Sequence, residues 1–351
     1  MYSTLIVSML CLVNFDRSPH VLGTLAEVVG PHHIAVSDSR LFILEDSKIF
    51  KYDLNSTSDQ NLRLIASFLR KGRGPGEIDS SPFRPNRMTL IGQRLFVEGP
   101  HKVLELDLDG QILSEIRTPS RLVLETLPVK GGFVTKELDR SDGKVEFVTV
   151  NLTDPAWKVV SELYRQKSPI QIGSSDMIAD AVLISVNESH IFIEKSREDA
   201  SVDMFHHSGK LVKTIDVSYK KRPVTDDDKA DIMQAYKDDP LVKEIGFANL
   251  KNSVEFYFPE VYPGILGMQA LEDQLFLLSP FQSETSEMYH LVDLPTLASK
   301  TFDLPLCPKS EDLSQKNGVG IRLSFFDGTW FYYLEEPEND DFWIVKRVRI
   351  K

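Results

Sequence analysis

Apolar and polar positions alternate along this chain in short bursts, and one burst recurs. It is an apolar strand, a polar turn, then a strand centred on a large apolar residue followed by an aromatic one. It reads IAVSDSRLFIL at 34–44, TLIGQRLFVE at 89–98 and LPVKGGFVTK at 127–136. It returns as ISVNESHIFIE at 184–194, MQALEDQLFLL at 268–278 and LSFFDGTWFYY at 323–333. The matching aromatic positions are Phe42, Phe96, Phe133, Phe192, Phe276 and Phe331. Period-two alternation with β-branched and aromatic residues, broken by Asp, Asn, Ser and Gly, predicts a β-hairpin in each copy.

A second hairpin follows most copies. KVLELDLDGQILSEIRT at 102–118 turns at Asp109–Gly110, and SVDMFHHSGKLVKTIDV at 201–217 turns at Ser208–Gly209. In the third copy, Asp142–Gly143 separates the second and third strands. Each unit is thus a sheet of about four strands, too small to bury both faces alone. Packed radially, every sheet covers its neighbours and only short edges remain. The expected fold is all-β: a six-bladed β-propeller of four-stranded antiparallel blades. The last copy supplies three strands, so closure calls for a fourth from HVLGTLAEVV at 20–29. Stacked β-sandwiches fit six copies of one signature less well.

The interval between Phe192 and Phe276 carries another pattern. In residues 223–250, Thr225 precedes Asp226, Asp227 and Asp228, an N-cap followed by acids where a helix dipole favours them. Ile232, Met233, Ala235 and Tyr236 form an apolar stripe, and Pro240 stops it. This predicts a helical insertion between blades four and five, covering an edge or face of the propeller or serving as a lid. The propeller is expected over 20–351. Residues 1–19 form an apolar leader whose core, 4–13, has the length of a signal peptide rather than a membrane span. An extracytoplasmic protein is the expectation, the alternative being a first strand or buried arm.

Charge narrows the function. Forty Lys and Arg against 52 Asp and Glu give a net charge of −12. Such a surface repels phosphate backbones, so nucleic acid is not an expected partner. Two cysteines, Cys11 and Cys307, cannot build a disulfide framework. No later stretch is long and apolar enough for a transmembrane span. GRGPGE at 72–77 lacks the Lys-Ser/Thr of a phosphate-binding P-loop, and Pro75 removes an amide such a loop would use. The pairs His32–His33 and His206–His207 point to opposite strand faces, so neither chelates a metal as a unit. SFFDGTW at 324–330 misses the sialidase Asp-box because Asp327 and Gly328 are adjacent.

One constellation remains. Carboxylates stand at the ends of second strands: Glu45 and Asp46, Glu98, Glu137, Glu194 and Glu335. They are either solvated turn acids or a ring around one mouth of the propeller that attracts a cation, an amine or a basic peptide. GRGPGE falls on the same face as a blade-to-blade corner, with Arg73 expected to pair with Glu77, Glu45 or Glu98.

GRGPGE also resembles the G-x-G-P-G-E motif of bacterial six-bladed β-propeller proteins of TolB-like or NHL-like architecture. LFILEDSKIFKYDL at 41–54 and EFYFPEVYPGILGMQALEDQLFLL at 255–278 are similar to their blades. The resemblance covers about 25–351, and the family is largely of unknown function, often exported or lipid-anchored. The repeat fold, the absence of a catalytic motif in the sequence and the acidic rim lead to the expectation of a monomeric, non-enzymatic binding module without a cofactor, presenting a loop-rich face to a protein, peptide or small-molecule ligand. The wider six-bladed class includes calcium-dependent lactonases and arylesterases. A calcium-dependent hydrolase at the central channel is therefore the alternative, with Glu45, Glu98, Glu194 and Glu335 as rim candidates.

Overall fold

A computed structural model describes residues 18–350 apart from 59, 81–85, 120–122, 142, 144, 172, 179–181, 196–199, 218, 239, 284, 307–322 and 337–341. The leader core, both cysteines and Asp142 lie outside the described residues. Strand β1 is His20–Leu25. The first repeat follows as β2 His33–Ser37, β3 Arg40–Glu45, β4 Lys48–Ser58 and β5 Asn61–Phe68. The second is β6 Arg87–Ile91, β7 Arg94–Glu98, β8 Lys102–Asp107 and β9 Ile112–Arg117. The third is β10 Val123–Val129, β11 Gly132–Asp139, β12 Phe147–Thr153 and β13 Val159–Lys167. Two short strands, β14 Ile170–Gln171 and β15 Ser174–Asp176, precede β16 Ile184–Val186, β17 His190–Glu194, β18 Ser201–His206 and β19 Leu211–Asp216. Helices α1 Asp226–Asp238, α2 Pro240–Ile245 and α3 Phe247–Ser253 lead into β20 Glu255–Tyr257. The chain ends with β21 Gly267–Ala270, β22 Gln274–Gln282, β23 Ser286–Asp293, β24 Ser299–Pro305, β25 Ser324–Phe326, β26 Trp330–Glu335 and β27 Trp343–Arg349.

β6–β9, β10–β13, β16–β19 and β21–β24 each form a four-stranded antiparallel meander. Two of the third-to-fourth strand turns carry a glycine at the same place. Gly110 and Gly209 sit at φ 85° and 83°, where a side chain would be strained. The Asp107 carboxylate accepts from the Asp109 and Gln111 amides at 2.9 and 2.8 Å.

First strands are neighbours around a closed circuit: β2 beside β6, β10 beside β7 and β16, β16 beside β21, and β25 beside β2. Between β21 and β25, Gln269 closes the gap by donating to the Phe326 carbonyl at 2.8 Å and accepting from its amide at 3.1 Å. This is the radial arrangement of a β-propeller. Apolar clusters fill the junctions. Phe42, Leu44 and Ile49 pack on Leu95, Val97 and Leu104, and Phe192, Val202 and Ile215 on Leu275 and Leu277. Of the repeating phenylalanines, five are buried and Phe96 is half-buried.

The first and last repeats join through β1. It pairs antiparallel with β27 from His20↔Arg347 to Leu25↔Trp343, and meets β5 in parallel at Thr24↔Asn61. One eight-stranded sheet results, in the order β2-β3-β4-β5-β1-β27-β26-β25. The Thr24 amide donates to the Gln60 carbonyl at 3.0 Å, and the Trp343 indole to the Val29 carbonyl at 2.9 Å.

The insertion differs in detail from its expectation. Thr225 does cap α1: its hydroxyl accepts from the Asp228 amide at 3.1 Å, and the Asp228 carboxylate accepts from the Thr225 amide at 2.9 Å. Yet α1 buries no residue. Tyr236 packs instead against Phe256 and Phe247, at ring distances of 5.3 and 6.3 Å. Pro240 opens α2, where a missing amide costs nothing. The insertion docks through β20, which pairs in parallel with β15. That strand pairing was not legible in the apolar stripe.

Closure through β1 depends on Gly23. Its φ is 150°, and a Cβ there would stand 2.9 Å from the Gln60 carbonyl oxygen and 3.1 Å from the Leu62 amide nitrogen. Gly23→Ala should therefore cost about 1–3 kcal/mol in urea unfolding. An unchanged midpoint would show that β1 does not set the stability of the whole.

Candidate functional site

A cavity of about 1850 Å³ runs along the axis, lined by residues of all of β2, β6, β10, β16, β21 and β25. Its middle is apolar, with Met88, Leu127, Val182 and Met268 among its walls. Charged groups line both ends: Asp38, Glu188, Glu272, Asp273 and Asp327 at the turns between first and second strands, and Arg87, Glu98, Glu125, Lys136, Arg140 and Glu146 where first strands begin and second strands end. There, at the junction of the second and third repeats, ions cross where other junctions carry apolar clusters.

Glu125 of β10 is the centre of this group. Lys136 of β11 meets its Oε2 at 2.6 Å, and Arg87 of β6 meets the same oxygen at 3.1 Å. Burial works to raise the Glu125 carboxyl, but the Lys136 and Arg87 cations outweigh it and hold it below the usual range. Lys136 also donates to the Val182 carbonyl at 3.1 Å, tying the third repeat to the segment entering the fourth. Glu98 of β7 accepts from the Thr126 amide at 3.0 Å. Glu146, buried just before β12, meets Arg140 at 2.6 Å. His33, at the start of β2, is kept neutral: burial first, then the Arg87 and His32 charges, push its imidazole down to about 3.

The opposite mouth is formed by the turns between first and second strands. Asp327 there accepts from the Thr329 and Trp330 amides at 2.8 and 2.7 Å, and Asn187 from those of Ser189 and His190 at 2.9 and 2.7 Å. These are turn-forming roles.

The acids singled out in the sequence take separate places. Glu45 accepts from the Val29 and Gly30 amides at 3.0 and 2.7 Å, fastening the segment after β1. Asp46 sits at φ 48° and meets Lys71 at 3.4 Å. Glu137 accepts from the Thr135 hydroxyl. Glu194 is buried, and Glu335 meets Lys346 at 2.6 Å. Only Glu98 among these acids lines the channel, as far as the described residues go. No group of three or more His, Cys, Asp or Glu placed to hold a metal occurs among the described residues.

GRGPGE lies at the same end, because β5 runs back toward it and β6 starts from it. Gly72 and Gly76 have φ 156° and 70°, and Gly74 does not share that feature. The glycines also make room for Glu77, whose Oε2 accepts from the Gly74 amide at 2.9 Å and would stand 2.9 Å from a Cβ on Gly74. Glu77 pairs with Arg70 at 2.8 Å. Arg73 pairs with Asp79 at 2.8 Å, not with Glu77, Glu45 or Glu98. Two further amides of the loop are engaged: Gly72 with the Ile78 carbonyl at 3.1 Å and Gly76 with Glu115 at 2.8 Å.

The channel charges Arg87, Glu125 and Lys136 escaped the sequence reading, which looked at strand ends. Their signal was a charged residue inside a strand of an otherwise apolar repeat, as in RMTLI and VLETL.

No family model matches this chain, and no curated protein does. Solved structures of similar overall course exist. The WD40 domain of Neurospora crassa Pan2 has TM-score 0.42 at 10% identity, covering 95% of this chain and 96% of that one. The AfRom2 CNH domain has TM-score 0.39 at 11% identity, covering 94% and 98%. The N-terminal domain of Nup159 has TM-score 0.37 at 12% identity, covering 93% and 94%.

Two outcomes follow from the channel charges. Glu125→Gln leaves two cations facing each other, and should cost roughly 2–4 kcal/mol in denaturant unfolding. A loss below about 0.5 kcal/mol would mean that solvent already screens the cluster. The second outcome concerns acid. His33 has a folded value of about 3 against 6.5 unfolded, and burial also lowers His190, His207 and His290. Above 6.5 both states are neutral and the stabilisation is complete. As pH falls below 6.5 the unfolded chain takes up protons that the folded one resists, so stability drops. The drop due to His33 continues toward pH 3. His33→Gln should flatten the stability-versus-pH curve between pH 6 and 4, and an unchanged slope would contradict the buried neutral imidazole.

Proposed function

We propose that this chain is a six-bladed β-propeller acting as a binding module, not as an enzyme. Blades one to five are the repeats β2–β5, β6–β9, β10–β13, β16–β19 and β21–β24, and β25–β27 with β1 make the sixth. The helices then lie between blades four and five. The working end is the one where second strands finish. The observation that carries this reading is a coincidence of features at that end. The end of the channel that carries both cations and carboxylates, the GRGPGE corner and the base of the insertion all lie on that side. Pro169 lines the channel, and its carbonyl accepts from the Tyr257 hydroxyl of β20 at 3.4 Å. A ligand or protein partner would enter there, facing Arg87, Glu125 and Lys136, with apolar channel wall behind them. The carboxylates at that point are occupied by cations or amides, which suits fixed recognition better than metal binding. No helix among the described residues is long and apolar enough to cross a membrane. With the apolar leader, we place the protein outside the cytoplasm, as a monomer over 20–351.

The purified protein should give no turnover on lactone and ester panels, and chelator should leave its Tm within about 1 °C. Turnover that calcium restores after chelation would replace this reading with the calcium-dependent hydrolase. On the binding reading, Arg87→Ala should weaken capture of a partner from extracytoplasmic extract by about tenfold, the effect of losing a charge-assisted hydrogen bond. Capture unchanged by that variant would remove the channel end from the site.

A further inference from the structure

Beside the GRGPGE corner lies a second cavity, of about 390 Å³, walled by the corner, the β7–β8 turn and the end of β9. It lies outside the channel and serves none of the roles above. Arg73, His101, Lys102 and Arg117 line it together with Asp79 and Glu115.

The distribution of hydrogen bonds there is uneven. Both oxygens of each carboxylate are engaged. Asp79 accepts from Arg73 Nε at 2.8 Å and from the Ser80 amide at 3.1 Å. Glu115 accepts from Lys102 Nζ at 2.7 Å and from the Gly76 amide at 2.8 Å. Donors are left over. Lys102, whose side chain is 8% exposed, gives its other bond to the Gly74 carbonyl at 2.7 Å, which leaves one ammonium N–H. The terminal nitrogens of Arg73 have no hydrogen-bond partner among the described residues. The same is true of the Arg117 guanidinium and the His101 ring. Three permanent cations, Arg73, Lys102 and Arg117, against two carboxylates leave one positive charge. This local excess sits on a chain of net charge −12.

We propose that this pocket binds the phosphate group of a phosphate monoester. A carboxylate presents two oxygens, whereas a phosphate monoester presents three strong acceptors and up to two negative charges, matching the donors and the sign of the charge available. Arg117 provides the planar fork and Lys102 the point charge, while Arg73 closes the side nearest the corner. The site uses side chains. The Gly72, Gly74, Gly76 and Glu77 amides are already committed and Pro75 has none, so this is not a P-loop cradle. The glycines contribute indirectly, by letting Glu77 fold inward and leaving Arg73 on the pocket side.

Calorimetry at low ionic strength tests this with four probes: orthophosphate, glycerol phosphate, a phosphoserine peptide and acetate. Phosphate-bearing probes should bind, and acetate should bind at least tenfold more weakly. Arg117→Gln, an exposed position whose loss leaves folding intact, should weaken phosphate binding by about tenfold or more, and Arg117→Lys should restore part of it. Arg140→Gln, which removes a channel cation, should leave it unchanged. Glycerol phosphate binding more tightly than the peptide assigns the site to small phosphorylated molecules, and the reverse assigns it to phosphorylated protein segments. No phosphate binding overturns the proposal. So does acetate binding as tightly as phosphate, or an Arg117→Gln variant with unchanged affinity.

Discussion

The pairing of β1 with β27 on one side and β5 on the other is the interaction on which the rest depends. A radial set of small sheets gains stability only when each face has a neighbour, because every cluster is shared between two repeats. Were the circuit open, the first and last sheets would each expose one apolar face and one ladder of unpaired backbone groups. β1 covers both. Residues from near the start of the described chain thereby hold the other end, and the junction fills with Leu25, Tyr52, Tyr332 and Val345. The closed circuit also creates the channel, so the candidate site is a consequence of closure.

The junctions are not equivalent, and that bears on function. Most are apolar and act as mortar. At the junction of the second and third repeats, Arg87, Glu125 and Lys136 face the cavity. Buried ion groups seldom add net stability over a well-packed apolar replacement, because desolvation offsets attraction. Where apolar packing serves the neighbouring junctions, charges that line an open cavity are better explained by what they meet there. The GRGPGE corner stands apart: all its amides but that of Arg73 are engaged, and its contribution is where it places Arg73 and Glu77.

Much of the architecture was legible in the sequence because a β-strand has period two and its turns have a strict chemistry. Phe42, Phe192 and Phe331 mark the cores of second strands, and Gly110 and Gly209 mark turns that need positive φ. The strand 20–25 could be foreseen because a three-stranded last repeat leaves an edge unpaired. The site was less legible. Glu45, Glu137 and Glu335 look alike in sequence, yet each is held by a different local partner. Their fates depend on what the adjoining segment offers: the Val29 and Gly30 amides, the Thr135 hydroxyl, or the Lys346 ammonium. Glu125 looked like an ordinary polar position in a strand, and its meaning came only from Arg87, a long way off in sequence. The pairing of β15 with β20 was equally hidden, since a three-residue parallel strand carries no period of its own.

Hydrogen–deuterium exchange over peptides covering residues 20–25 and 343–349 tests closure most directly. A closed ring predicts that both segments exchange together and as slowly as the buried second strands, through global unfolding alone. Rapid exchange of 20–25 while Phe192 and its neighbours stay protected would contradict it: β1 would then be a loose arm, and the channel would not be the product of a closed circuit.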